Sequence, residues 1–145
     1  MSAISGVVSC RKKLKLTRPE PKETDIQSMI MRALHSHPSV VWHARMNTGS
    51  GKLLHPGGQS RFIKFGFKGQ PDILGQLIDG RVLAIEVKRP SGQVSADQQA
   101  FLTKAANHRA VAFVARSVSD VFERLDGVMR DQSRSNKNGA VAGIL

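Results

Sequence analysis

Glu86 stands inside VLAIEV, a run that otherwise has the composition of a buried strand, and Lys88 follows two residues later. A carboxylate in such a run is costly unless it is paired or bound to a cation. Asp72 opens the preceding apolar run. Two acids and a lysine meeting at one sheet edge would bind Mg²⁺ through hard oxygen ligands and set an ammonium beside a metal-bound water. Register decides whether they meet. A two-residue Asp79-Gly80 loop pairs Ile78 with Arg81 and Asp72 with Val87, which puts Asp72 and Glu86 on opposite faces. A three-residue loop, Ile78-Asp79-Gly80 with Gly80 left-handed in a G1 bulge, pairs Leu77 with Arg81 and Asp72 with Glu86. Only the second brings Asp72, Glu86 and Lys88 to one face, and it is the register expected here. The acid-x-Lys triplet by itself is common. Glu20-Pro21-Lys22 repeats it in a Pro-containing basic segment with no strand around it.

Apolar periodicity marks out the elements that must position these groups. Residues 1–22 lack it and carry Pro19 and Pro21, so they read as a flexible basic arm. Thr24 with Gln27 forms a capping-box signature, opening a helix whose buried face is Ile26, Met29, Ile30, Ala33, Leu34 and His37. Pro38 ends it. Ser39 to Met46 reads as a strand, with Trp42 a core residue rather than a base-stacking platform. Residues 47–60 are rich in Gly, Ser and Asn and read as a long loop, followed by a half-exposed strand from Arg61 to Phe65. Asp72–Ile78 and Arg81–Lys88 are apolar on both faces over most of their length, as central strands are. Ser95 and Gln98 form a second capping box, on a helix burying Gln98, Phe101, Leu102 and Ala105. Ala110–Ala115 is a short buried strand, and Ser117 starts a third helix. Beyond Arg130 the chain turns polar, so 131–145 reads as a disordered tail. The order α-β-β-β-β-α-β-α predicts an α/β fold with a mixed sheet, its body spanning 23–130.

At 145 residues the chain is long enough for one core and too short for two. Its 22 Lys and Arg against 11 Asp and Glu give a charge of +11, which makes a polyanion the first partner to consider, nucleic acid ahead of an anionic membrane. The excess is uneven: +5 lies in residues 1–22, +2 in 130–145 and +4 in the body between. No apolar run approaches the ~18 residues of a spanning helix, so no membrane segment is expected. The N-terminal order, apolar before basic, is the reverse of a secretory signal. Cys10 is the single cysteine, which excludes an internal disulfide and makes a reducing, cytoplasmic compartment the default. With no CxxC pair and five scattered His, no structural zinc is expected. Gly49-Ser50-Gly51-Lys52 falls short of a phosphate loop, because Met46 stands at the first glycine position and Leu53 at the Ser/Thr position. A DNA-contacting loop fits better. Arg45, Asn47, Lys52, Arg61, Lys64, Lys68 and Arg89 flank the acids and are the candidate phosphate contacts.

Gly69-Gln70-Pro71-Asp72, the two strands, the Glu86-x-Lys88 spacing and the helix that follows resemble the PD-(D/E)XK nuclease superfamily. Closer motifs recur in order over 23–125: Glu23 with Asp25-Ile26-Gln27, Arg45-Met46-Asn47-Thr48-Gly49, Phe65-Gly66-Phe67-Lys68 leading into Gly69, Glu86-Val87-Lys88-Arg89-Pro90, Gly92, Val94-Ser95-Ala96-Asp97-Gln98 and Ala115-Arg116-Ser117. Together they are similar to the VRR-NUC family. The resemblance implies a restriction-endonuclease-like fold and phosphodiester hydrolysis dependent on Mg²⁺ or Mn²⁺. It further implies branched DNA such as four-way (Holliday) junctions as substrate, a homodimer, a role in DNA repair, and a bacterial or phage-infected cell as setting. By the same resemblance Asp72 and Glu86 would be metal ligands, joined by the Val87 backbone carbonyl. Lys88 would orient or help deprotonate the attacking water and stabilise phosphate charge. Gln98 would belong to the site, and Glu23 would reach the metal directly or through water. Two of these residues have a plainer reading: the Gln98 amide bonds Ser95 in the capping box instead, and Glu23 is a favourable charge at a helix N-terminus. A non-catalytic basic nucleic-acid-binding protein on a decayed nuclease fold is the alternative from another class.

Overall fold

The structure is a computed structural model that describes residues 19–47 and 49–139. Most of the expected basic arm, residues 1–18, and residues 140–145 of the expected tail lie outside the described residues. The element order is α1 (Glu23–Ser36), β1 (Val40–Arg45), β2 (Gly49–Leu54), β3 (Ser60–Phe65), β4 (Ile73–Leu77), β5 (Val82–Val87), α2 (Ala96–Asn107), β6 (Val111–Ala115) and α3 (Val118–Gly139). Four strands form a mixed sheet in the order β1-β4-β5-β6, while β2 and β3 form a separate ribbon. β1, β4 and β5 run antiparallel in turn; β6 lies parallel to β5, which requires the crossover that α2 supplies. The fold is α/β and consistent with the restriction-endonuclease-like class, with one strand more than expected.

Strand alternation sorts the sheet into two faces. Ile73, Leu77, Leu83, Ile85 and Val87 join Ile26, Ile30 and Leu34 of α1 and Val121 and Leu125 of α3 in the main core. The face bearing Ala84 and Glu86 is the one that Gln98 of α2 reaches. The β4–β5 hairpin takes the three-residue turn. Leu77 N–H donates to the Arg81 carbonyl at 2.9 Å, Gly80 N–H donates to the Leu77 carbonyl at 2.9 Å, and Gly80 has φ 84°. The ladder pairs Ile73 with Ile85 and Gln76 with Val82, so Asp72 falls opposite Glu86. The Asp79 carboxylate closes the turn by accepting from Arg81 N–H at 3.0 Å and Nε at 2.7 Å.

Five local expectations are corrected. The α1 capping box does not form: the N-cap is Lys22, without a side-chain cap bond, and Thr24 lies inside the first turn. Gln27 is instead buried beside Ile26 and Ile30, while Met29 is exposed. Trp42 is 49 % exposed rather than core, its Nε1 donating to Gln76 Oε1 at 3.0 Å. The cause is a register irregularity between Val40 and Trp42, which pairs with Gln76 and not Gly75. One extra residue reverses the face of everything after it. Residues 47–60 are not a long loop but contain β2 and the turn into β3, closed by His55 N–H to the Gln59 carbonyl at 2.9 Å. Finally, α3 continues past Arg130 to Gly139, over part of the expected disordered tail, because propagating a nucleated helix adds one bond per residue fixed. Among the described residues no helix is long and apolar enough to cross a membrane.

Candidate active site

Asp72 sits at the mouth of β4, delivered by the loop Gly66–Pro71. That loop needs glycine at two places. Gly66 and Gly69 both have φ 78°, in the left-handed region that disfavours a side chain. A Cβ on Gly69 would lie 2.4 Å from the Asp97 carbonyl oxygen, so only glycine lets the loop close on the start of α2. The buried Gln70 side chain fastens the loop from inside, accepting from Phe67 N–H at 3.1 Å. Asp72 Oδ2 in turn accepts from Val87 N–H at 2.9 Å. The backbone N–H and C=O of one strand residue point toward the same neighbour, so the Val87 carbonyl is directed to the Asp72 side.

Glu86 is 1 % exposed. Its Oε1 accepts from Lys88 Nζ and from Gln98 Nε2, each at 2.5 Å. Its Oε2 is buried and has no hydrogen-bond partner among the described residues. Burial raises the carboxyl to about 7 from 4.5; the Lys88 ammonium opposes the rise and the Asp72 charge adds to it. Burial works against the Lys88 ammonium, but Glu86, with smaller contributions from Glu23 and Asp72, carries it above its ordinary range. Lys88 is therefore a held cation, its side chain 11 % exposed. Glu23 touches the cluster through Lys88, Oε1 to Nζ 3.7 Å, from the first residue of α1.

The two readings of Gln98 turn out to be compatible. Its Oε1 accepts from Ser95 N–H at 2.9 Å, and its own N–H donates to Ser95 Oγ at 3.3 Å, completing the capping box. Its Nε2 is left to reach Glu86. An amide has a donor end and an acceptor end, so one side chain caps α2 and holds the buried acid.

Among the described residues no three His, Cys, Asp or Glu side chains gather closely enough to enclose a metal unaided. That still suits Mg²⁺, which keeps several waters and is commonly bound by one or two carboxylates together with substrate phosphate. An unpartnered buried carboxylate oxygen opposite a second carboxylate is an arrangement that a divalent cation would relieve. The residues present fit such an ion.

The basic candidates divide. Arg45 ends β1 opposite Ile73, the residue after Asp72, and Met46 N–H bonds the Asp72 carbonyl at 2.8 Å. Arg89 follows Lys88; its side chain is exposed, with Nη1 3.9 Å from Glu20 Oε2. Asn47 lies between β1 and the ribbon, and Lys52, Arg61 and Lys64 lie on the ribbon itself. Lys68 is paired with Asp97 at 3.1 Å, on the surface. Two supports lie outside the expected set. Arg116 Nη1 donates to the carbonyls of Arg89, Pro90 and Gly92, at 2.6, 3.2 and 2.9 Å, and so clamps the turn after Lys88. Ala115-Arg116-Ser117 is one of the recognised motifs, which was its only signal. Glu20, from the acid-x-Lys triplet that no strand surrounds, accepts from Ser91 N–H at 2.6 Å and Ser91 Oγ at 2.7 Å, which holds its carboxyl below the usual range. No local pattern could announce a contact between residues so far apart in the chain.

Beyond this geometry, comparison with known proteins adds one finding: the family model described as VRR-NUC domain matches residues 21–119. Neither curated proteins nor solved structures gave a match.

Proposed function

The chain belongs to the VRR-NUC family, of PD-(D/E)XK-type nuclease domains, and from that premise we propose that it is a divalent-metal-dependent, structure-selective DNA endonuclease acting on branched substrates such as four-way junctions. A nuclease domain implies DNA as substrate. The observation that carries the finer reading is the Glu86 carboxylate, buried opposite Asp72 with one oxygen unpartnered and the other held by Lys88 and Gln98.

Asp72, Glu86 and the Val87 carbonyl would hold Mg²⁺ or Mn²⁺, with Glu23 within reach through water. When bound, the ion supplies charge neutralisation at the scissile phosphate and a lower pKa for the attacking water. Gln98 fixes the Glu86 carboxylate, whose free rotation would otherwise scatter the ligand geometry. Lys88 keeps its proton and offers a cation to the charge that develops on the phosphate. Arg116 and Glu20 hold the turn that follows Lys88 and so limit its drift. Arg45, at the end of β1 on the Ile73 face, and Arg89, after Lys88, would hold phosphates beyond the acid cluster. Junction resolution needs two strands cut, so we assign the working form to a homodimer with paired sites.

A cleavage panel tests the proposal: four-way junctions, flaps, duplex and single strands, each with Mg²⁺, Mn²⁺ or EDTA. The expected result is metal-dependent cutting that favours the branched substrates. If the wild type cuts none of them, the protein is a basic nucleic-acid-binding module on a nuclease fold.

A further inference from the structure

The β2–β3 ribbon is a part of the molecule that the acid cluster does not use. Among the described residues it pairs with no third strand, and its substantial contacts are between its own two strands. A lone two-stranded hairpin is marginal in water, yet this one exposes large apolar side chains. Leu54 and Phe62 are each 73 % exposed. The register pairs Lys52 with Phe62 and Leu54 with Ser60, which sets Lys52, Leu54 and Phe62 on one face; Arg61 lies on the other, opposite Leu53.

Charge indicates what such a surface meets. No Asp or Glu occurs between Asp25 and Asp72, whereas Arg32, Arg45, Lys52, Arg61, Lys64 and Lys68 do. A second copy of this ribbon would bring like charges together; a polyanion would not. The ribbon is also rooted beside the acids. Met46 N–H, just before β2, bonds the Asp72 carbonyl. Just after β3, Phe67 packs on Phe101 of α2 with ring centroids 5.3 Å apart. That helix carries Gln98, which holds Glu86.

We propose that the ribbon is a DNA wedge: Phe62, backed by Leu54, enters beside a base step that is already unstacked, while Lys52, directly opposite Phe62 on the same face, holds a flanking phosphate. The inference rests on the DNA-cleaving reading of the site and adds the surface that would make it selective for structure. Inserting an apolar wedge requires unstacking, which costs least where stacking is already interrupted, as at a branch. A single exposed aromatic can therefore favour distorted DNA over regular duplex without reading sequence.

The test uses the full chain in a Glu86→Gln background, so that cleavage does not intervene. 2-Aminopurine is placed at the branch of a four-way junction, and separately within a plain duplex. Binding is expected to raise junction fluorescence. Phe62→Ala should abolish the rise and weaken junction affinity about tenfold, the scale of losing one base–aromatic stack, while duplex affinity changes much less. Phe62→Trp should preserve both. Because Phe62 is exposed, thermal melting should be unchanged by either substitution. An unchanged rise and affinity in Phe62→Ala would overturn the proposal. So would a change from dimer to monomer in sedimentation with junction affinity intact, since the ribbon would then be a protein interface. A fluorescence rise lost in Phe62→Ala, alongside a wild type that cuts no DNA, supports the wedge and counts against the nuclease reading alone.

Discussion

At Glu86, stability and chemistry pull in opposite directions. A carboxyl raised from 4.5 to about 7 binds its proton more tightly in the folded than in the unfolded chain. The stability this gives is complete below pH 4.5 and is lost as pH rises through about 7. Metal-free wild type should therefore lose on the order of 3 kcal/mol between pH 4 and 8 relative to Glu86→Gln, measured by urea unfolding. Mg²⁺ or Mn²⁺ added at pH 8 should restore stability to the wild type and not to the variant. Lys88→Ala should lower cleavage by about 10²–10³-fold, the scale of removing a preorganised charge stabiliser, with junction affinity within about threefold in a filter-binding assay. The acid was legible because a charge in an apolar strand is expensive wherever it stands. Gln98 was only half legible, since spacing shows the cap or the site but not that one amide serves both. Glu20 was illegible: its significance lies in Ser91, and only the fold brings the two together.

Among the elements, the β4–β5 hairpin could be read correctly because an Asp-Gly turn admits few registers, and only one collects the acids. Trp42 could not, because a bulge in an edge strand leaves no mark in the apolar pattern. The ribbon was hidden for a related reason: Gly49, Ser50 and Gly51 carry loop composition into a strand whose partner supplies the β-forming residues. The loop into Asp72 yields a sharp contrast. Gly69→Ala combines a left-handed φ with a Cβ against the Asp97 backbone, and should cost about 2 kcal/mol or more while reducing cleavage, since Asp72 and α2 must part. Gly49→Ala meets nothing within 4 Å and should change the melting temperature little. Paired thermal melts and initial rates decide it. Arg116→Ala, which removes the donor to three carbonyls, should destabilise by about 2 kcal/mol in the same assay.

For the whole molecule, the charge of +11 is a steering field with a small acidic exception at its centre. Residues 1–18 carry Arg11, Lys12, Lys13, Lys15 and Arg18 and no acid. Removing them should weaken junction binding at low salt and flatten the slope of log affinity against log salt, because the slope falls by about 0.9 for every phosphate that the protein no longer neutralises. The rate of cutting at saturating DNA should stay the same, since the acid cluster and its supports lie within residues 20–120. Composition could reveal a polyanion partner but not the acid cluster, a few carboxylates that folding brings together against their own repulsion. The decisive comparison is single-turnover cleavage of a four-way junction in Mn²⁺ by wild type and Glu86→Gln, with binding measured alongside. Equal binding, with cutting confined to the wild type, is the predicted result. A Glu86→Gln protein that cuts at the wild-type rate would contradict it.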